Sequence, residues 1–242
     1  MIKNASVCKE QFEESLRSKK DFLSEKMLRE YKCFKDRDLS NFYMLGDIRL
    51  MVMGENISVR GNITRTDLDQ ILSFARFMGI YGLESRQDNL PVKSRSRFNL
   101  MEYHGRGETE QRDIVKNGSI YSFSQFCRAN FTGSAFETIY SYFANKVNRG
   151  LSDIYCLEQD GKIISAALAT QYTGRIYITF VSTQSEKRGL GLASKVVKHI
   201  LSQRGDKSVI LMCEDELVPF YEKLEFGKIQ DIYLYTLREE KI

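Results

Sequence analysis

Apolar residues recur at two different spacings in the first part of the chain, and the change of spacing predicts where helices give way to strands. Residues 9–32 place apolar side chains at roughly helical intervals among charged ones, which predicts a helix. Residues 41–61 instead hold apolar runs separated by glycine-containing turns, which predicts short strands. A further strand is predicted over residues 80–85, followed by a basic loop over residues 86–97.

The clearest helix of the first half is predicted over residues 64–79, where the apolar residues form a single stripe. Thr66 is its predicted N-cap, and Asp69, three residues on, completes an approximate capping box. Gly79 is the predicted end of the helix. A strand is predicted to follow over residues 98–103.

The pattern becomes more regular after Gly118. Residues 122–131 and 134–150 are predicted to form two helices, the second capped by Ser134. Three apolar, β-rich runs come next, and the first turn between them contains Asp160–Gly161, which predicts an antiparallel meander. The predicted strands of the meander are Asp153–Glu158, Lys162–Thr170 and Arg175–Val181.

Four further elements close the chain. They are predicted as a helix, a strand, a short helix and a final strand, over residues 192–203, 208–214, 217–226 and 231–237. Pro219 is tolerated in the first turn of the short helix, where its missing N–H is not needed. The predicted fold class is therefore α/β (α+β), with an N-terminal lobe over residues 1–118 and a second domain over residues 119–242.

Composition and charge narrow the function classes. The 242 residues are enough for two small lobes, and the net charge is +4. This mild excess does not indicate nucleic-acid binding, which shows a concentrated basic face. No apolar run reaches the ~18 residues that a membrane span needs, and the start of the chain lacks the apolar core of a signal peptide. We therefore expect a cytoplasmic protein that contacts no membrane.

The cysteines and histidines point to no metal site. The five cysteines are scattered and form no CxxC pair, so they are expected to be reduced thiols. His104 and His199 are the two histidines of the chain, and neither lies near a cysteine at ligand spacing.

The stretch SEKRGLGLASKVV, residues 185–197, places two glycines and an arginine just before an amphipathic helix. Such a helix start leaves backbone N–H groups unpaired and carries partial positive charge, which suits an anionic diphosphate. Gly189, Gly191 and Ser194 nearly fit the dinucleotide pattern GxGxxG. That pattern belongs in the first strand-to-helix turn of a βαβ repeat, whereas here it comes late and follows an antiparallel meander. The context therefore favours a different diphosphate, that of coenzyme A.

The quoted motifs resemble the GNAT superfamily of N-acetyltransferases. RGLGLA matches the family's (Arg or Gln)-x-x-Gly-x-(Gly or Ala) signature through Arg188, Gly191 and Ala193. PFYEKLEF is similar to the family's Phe-Tyr-x-Lys-x-Gly-Phe stretch, with Glu225 in place of the usual glycine. The resemblance covers about residues 134–238 and implies a mixed, mostly antiparallel sheet flanked by helices. By lobe order, the first half resembles the degenerate lobe that precedes the acetyltransferase lobe in a bacterial branch of the family.

The resemblance implies where acetyl-CoA, the expected cosubstrate, binds. Its pantetheine arm is expected between the third meander strand and the strand over residues 208–214, which splay apart in the family. The implied coenzyme-binding residues are Phe180, Val181, Ser182, Arg188, Gly189, Leu190, Gly191, Leu192, Ala193 and Ser194. Tyr221 occupies the position where the family usually keeps a general acid for the departing thiolate; packing as a core aromatic is the other interpretation.

The general base is left open by the sequence. Many family members place a glutamate on the third meander strand, but here that strand, RIYITFVST, contains no acid. Glu214 and Asp215 are the nearest carboxylates to a motif, and they could act through water, bind the substrate ammonium, or form a solvated turn. Glu102 and His104 are further candidates.

The expected activity is transfer of the acetyl group of acetyl-CoA to a primary amine, by direct attack in a ternary complex. The acceptor is not indicated, and either a monomer or a homodimer is expected. The alternative is a non-catalytic acyl-CoA-binding sensor or interaction module, which the missing strand acid and Glu225 would suit.

Overall fold

The computed structural model describes residues 1–19, 21–35, 41–92, 94–107, 111, 113–131 and 136–237. The chain forms two compact units. The first contains Met1–Asn99 together with Gln230–Ile242, and the second contains Leu100–Ile229. The compact units divide between residues 99 and 100 and between residues 229 and 230. The domain boundary predicted between residues 118 and 119 stays a prediction.

The first unit contains a sheet in which β1, β2, β3, β4 and β5 are neighbours in this order, with the C-terminal part of the last strand, β12 (Phe226–Thr236), beside β5. The strands from β2 to β4 are antiparallel, whereas β4 and β5 are parallel. Its elements are β1 (Lys3–Asn4), α1 (Lys9–Arg17), α2 (Phe22–Phe34), β2 (Asn41–Leu45), β3 (Ile48–Met53), β4 (Asn56–Arg60), α3 (Arg65–Met78) and β5 (Gly82–Ser85).

Two helix predictions for this unit need correction. The single helix predicted over residues 9–32 is two helices, because Asp21 accepts hydrogen bonds from the backbone N–H and the hydroxyl of Ser24 and so starts α2 afresh. The predicted cap of α3 was two residues too late. Thr64 is the N-cap, and it forms a reciprocal capping box with Asp67. Gly79 ends α3 in the left-handed conformation, as predicted.

This corrected cap yields a stability prediction. The Thr64 hydroxyl accepts a hydrogen bond from the Asp67 N–H at 3.2 Å, and the Asp67 carboxylate accepts one from the Thr64 N–H at 3.1 Å. Thr64→Ala is therefore expected to lower the free energy of unfolding by about 1 kcal/mol in a denaturant titration. Thr66→Ala is the matched control and should change it by less than about 0.5 kcal/mol. A larger loss for Thr66→Ala would restore the original prediction.

The second unit contains a sheet in which β6, β11, β10, β9, β8 and β7 follow one another. The predicted meander is confirmed as β8, β9 and β10, which are antiparallel, and β11 runs parallel to β10. The elements are β6 (Ser94–Tyr103), which begins in the first unit, β7 (Ile114–Lys116), α4 (Ile120–Asn130), α5 (Phe136–Asn148), β8 (Ser152–Gln159), β9 (Lys162–Tyr172), β10 (Arg175–Thr183), α6 (Leu192–Ser202), β11 (Ser208–Cys213), α7 (Val218–Glu222) and β12 (Phe226–Thr236), which ends in the first unit.

Two details differ from the sequence predictions for the later part of the chain, and one further prediction falls outside the described residues. The loop predicted over residues 86–97 ends early, because β6 already begins at Ser94. The final strand is longer than predicted and begins at Phe226. The predicted cap Ser134 lies outside the described residues.

The two units share one order of elements. In each, an antiparallel three-stranded meander leads into a helix and then into a strand parallel to the third strand of the meander. Two helices precede the meander in both units. The predicted fold class, a mixed and mostly antiparallel sheet flanked by helices and preceded by a smaller α/β lobe, is confirmed.

Candidate functional site

The third meander strand of the second unit parts from its parallel neighbour halfway along. Residues of β10 pair with β11 from Arg175 to Ile178, and the pairing then stops although both strands continue. In open α/β sheets, ligands bind beyond the carboxyl ends of strands at such points of divergence. The splayed strands expected from the sequence resemblance are therefore present.

A β-bulge lies at the start of the divergence. The register between β10 and β9 shifts between Thr179 and Ser182, so the pairing skips Phe180 and Val181. Phe180 has φ +54°, which is rare for a bulky residue and is typical of functional sites. Edge-to-face contacts with Phe131 and Phe143, with ring centroids 5.5 and 5.0 Å away, hold its ring. The sequence carries no signal for this bulge, because the run reads as an ordinary strand.

The glycine loop ends at an uncapped helix start. Gly191 is the N-cap of α6, has φ +74° and supplies no side-chain hydrogen bond to the helix. Gly189 also has positive φ, and a Cβ added at either glycine would meet nothing within 4 Å. The first N–H groups of α6 thus carry the partial positive charge of the helix dipole beside open space. This arrangement suits the phosphates of an anionic ligand.

The other predicted coenzyme-binding residues lie at this helix start or next to it. Arg188 is exposed, and its Nε donates a hydrogen bond to the Thr183 carbonyl oxygen at 3.3 Å. Leu190 is 64% exposed at the tip of the loop. Leu192, Ala193 and Ser194 form the first turn of α6 and are half-buried.

Tyr221 lies on α7 and is 5% exposed. Its ring packs against Phe220 and Phe226, with centroids 4.9 and 5.8 Å away. Tyr221 belongs to the hydrophobic cluster on which Val181 and Leu192 also pack, so the structure brings the bulge, the helix start and this tyrosine around one cluster.

Burial keeps Tyr221 and Cys213 of this cluster protonated. Burial first, and then the nearby Cys213, raise the pKa of Tyr221 above its usual range. Burial also raises the pKa of Cys213 to about 11, with further contributions from Asp215 and Glu214. At neutral pH the phenol therefore retains a proton that it can donate, and the thiol is not a nucleophile.

The candidates for the general base lie in different parts of the second unit. Glu214 and Asp215 are exposed in the short 3₁₀ turn that follows β11, and their charges reach Cys213. The backbone N–H of His104 donates a hydrogen bond to the Glu225 carbonyl oxygen at 2.9 Å, and the imidazole of His104 lies against Gly227. Among the described residues, no three His, Cys, Asp or Glu side chains are grouped so that they could hold a metal ion.

Glu225 takes the backbone conformation of the glycine that it replaces in the motif. Its φ is +64°, in the left-handed region that favours glycine. The tight turn after α7 is thus kept despite the substitution.

Comparison with known proteins gives a family match within the second half of the chain and structural matches over both halves. Residues 127–234 match the model described as an acetyltransferase (GNAT) domain. No curated protein sequence is similar enough to count as a match. No helix in the described part of the chain is long and apolar enough to cross a membrane.

Three solved structures show the same fold at low sequence identity. A GNAT-family acetyltransferase from Colwellia psychrerythraea matches with a TM-score of 0.60 and 13% identity, covering 98% of this chain and 100% of that one. A tandem GNAT protein from the clavulanic acid biosynthesis pathway matches with a TM-score of 0.58 and 12% identity, covering 90% and 89%. A GCN5-related N-acetyltransferase from Sphaerobacter thermophilus matches with a TM-score of 0.58 and 14% identity, covering 89% and 86%.

Proposed function

We propose that this protein transfers the acetyl group of acetyl-CoA to a primary amine, because residues 127–234 match the model of an acetyltransferase (GNAT) domain. The observation that carries the proposal is the uncapped start of α6 at the point where β10 and β11 diverge. An anion-binding helix end and a gap between parallel strands are together what a long ligand with a diphosphate requires. The shared topology of the two units further supports the proposal that the first unit is a degenerate lobe of the same kind.

The residues present fit acetyl-CoA. We assign the diphosphate to the N–H groups from Gly189 to Ser194, with Arg188 adding a charge-assisted contact. The main chain of Phe180, Val181 and Ser182 is assigned to the pantetheine arm, because the bulge takes the first two of these residues out of register with β9. An N–H group of this segment is also the proposed donor to the oxyanion that forms during attack.

The proposed chemistry is direct attack in a ternary complex. The neutral amine forms a bond to the carbonyl carbon of the thioester, the bond from carbon to sulfur breaks, and the nitrogen releases its extra proton to solvent. The Tyr221 hydroxyl donates a proton or a hydrogen bond to the departing sulfur and is restored from solvent. The amine must first lose a proton, because its pKa is near ~10 in water. We assign that role, through water, to the exposed carboxylate of Glu214, which can equally hold the substrate ammonium.

The alternative is a module that binds acyl-CoA without catalysis. The absence of an acid from β10 favours it. Glu225 does not favour the non-catalytic module, because this residue keeps the glycine-like turn. The buried, protonated Tyr221 favours the enzyme. Formation of an acetylated amine in a screen of amines separates the two, because the module would bind acetyl-CoA and transfer nothing.

A thermal melt with and without acetyl-CoA tests the cosubstrate, with NADH and ATP as controls. A ligand at 100 times its Kd stabilises a protein by ~2.7 kcal/mol. For a chain of this size we expect acetyl-CoA to raise Tm by roughly 5–10 °C. No shift with acetyl-CoA, or an equal shift with NADH, would contradict the proposal.

A further inference from the structure

The first unit contains a cavity of about 880 Å³ that plays no part in the acetyl transfer proposed above. It lies beyond the carboxyl ends of β4 and β5, whose parallel pairing stops at Ser58 and Glu84. Its walls come from the junction of α1 and α2, the start of β3, the end of β4 and the residues after β5. The charged residues that line it are Lys19, Asp21, Asp47, Arg49, Arg60 and Arg86.

Arg49 is the unusual member of this set. Its side chain lines the cavity, yet the residue is only 4% exposed. Its Nε donates to the Ser15 hydroxyl at 2.5 Å, and its Nη1 donates to the carbonyl oxygens of Gly46 and Ile48 at 2.7 and 3.1 Å. In the described part of the chain, no acceptor takes a hydrogen bond from Nη2. The protein thus holds the guanidinium firmly and leaves one of its nitrogens unused.

Among the described residues, no carboxylate forms an ion pair with Arg49 either. Arginines are almost never fully buried unless they are paired, because desolvating the charge is costly. Among the described residues, no carboxylate lies within 4.0 Å of this guanidinium, although Asp47 is near enough to act on it electrostatically. Burial lowers the pKa of Arg49, but an arginine stays protonated in proteins. A buried, ionised and unpaired guanidinium beside a cavity calls for an anion from outside the chain.

The acids of the cavity do not supply that anion. Asp21 caps α2 and is shared by Arg60 and Arg86, at 3.6 and 3.9 Å. Asp47 is exposed in the turn between β2 and β3. Among the described residues, the cavity therefore has four cationic side chains against two anionic ones, an excess of two positive charges.

We propose that this cavity binds a small molecule through a phosphate group, with Arg49 Nη2 as a donor. A phosphate monoester is close to dianionic at neutral pH, which balances the excess charge. The planar guanidinium matches phosphate geometry, and Arg60 and Arg86 can close on further oxygens. The volume exceeds what one phosphate needs and leaves room for an organic portion.

The test is a thermal-shift titration of the full chain carrying Gly191→Asp, a variant intended to remove the anion site at α6. Constant ionic strength excludes a general salt effect. The probes are inorganic phosphate, glycerol 3-phosphate, 3′,5′-ADP and acetate. We expect a phosphate-bearing probe to raise Tm saturably and acetate to have no effect. A response confined to 3′,5′-ADP would support the site with the nucleotide portion of coenzyme A as its ligand. Absence of a response to every phosphate-bearing probe, or an equal response to acetate, would overturn the proposal.

Substitutions of single arginines test whether phosphate binds in this cavity. Arg49→Gln is expected to weaken phosphate binding at least about tenfold, because it removes the charge-assisted donor. If Arg49→Gln does not fold, Arg86→Gln tests the proposal instead, because the side chain of Arg86 is 47% exposed and its replacement should not disturb the fold. Arg86→Gln is expected to weaken phosphate binding about threefold to fivefold. Arg65→Gln makes the same charge change on the exposed start of α3 and should change nothing. Equal losses in Arg86→Gln and Arg65→Gln would overturn the proposal. Acetyl-CoA binding by the chain with native Gly191 is scored separately, so either proposal can fail alone.

Discussion

Gly191→Asp is expected to weaken acetyl-CoA binding strongly while leaving the protein folded. Aspartate tolerates the left-handed conformation of this position, and its Cβ would meet nothing within 4 Å. Its carboxylate can cap the free N–H groups of α6, which compensates for backbone strain. The same carboxylate places a negative charge where the proposed diphosphate binds. We expect Kd for acetyl-CoA to rise by about 100-fold or more, which corresponds to about 2.8 kcal/mol.

The matched control is Gly191→Asn, which has the same size and capping ability without the charge. It should weaken binding by about tenfold, so the difference between the two variants measures the electrostatic part. Calorimetric titration gives both affinities, and a melt without ligand checks the fold. Unchanged binding by Gly191→Asp would mean that the start of α6 does not hold the ligand.

Tyr221→Phe is expected to reduce kcat by about 100-fold to 1000-fold, the range of a lost general acid. The ring keeps its contacts with Phe220 and Phe226, so neither the fold nor the KM for acetyl-CoA should change appreciably. Initial rates with an amine found by screening give both constants. Tyr177→Phe, a buried tyrosine on β10 stacked against Tyr172, makes the same chemical change and should retain its rate.

The pH dependence gives a second readout for Tyr221. The pKa of this phenol is raised by burial, so it should not ionise as pH rises through 10 in the folded protein. The folded state then binds more protons than the unfolded state above pH 10, and stability should fall as pH rises further. This fall should be smaller in Tyr221→Phe. Full turnover by Tyr221→Phe would remove the catalytic assignment and favour the binding module.

Much of the second unit follows from local patterns. Apolar, β-rich runs and an Asp-Gly turn predict β8, β9 and β10, because such residues suit buried strands and the turn residues tolerate positive φ. The glycines before α6 predict an anion-binding helix start, since this depends on which backbone groups lack partners rather than on distant contacts. Caps were less predictable: Thr64 and Thr66 both precede an acid by three residues, and only the backbone conformation distinguishes them.

The features that complete the candidate sites depend on tertiary contacts. At the bulge, rings from the residue that follows α4 and from α5 hold the strained Phe180 in place, and nothing in the strand itself indicates it. The divergence of β10 from β11 is a relation between segments separated by a helix. In the sequence, Arg49 is an ordinary polar position within an apolar strand. Only the fold shows that this arginine is buried with no carboxylate of the described residues paired to it. Residue types and spacings thus determined the family resemblance and predicted the anion-binding helix start, whereas burial and strand pairing decided where strain and unpaired charge are stored.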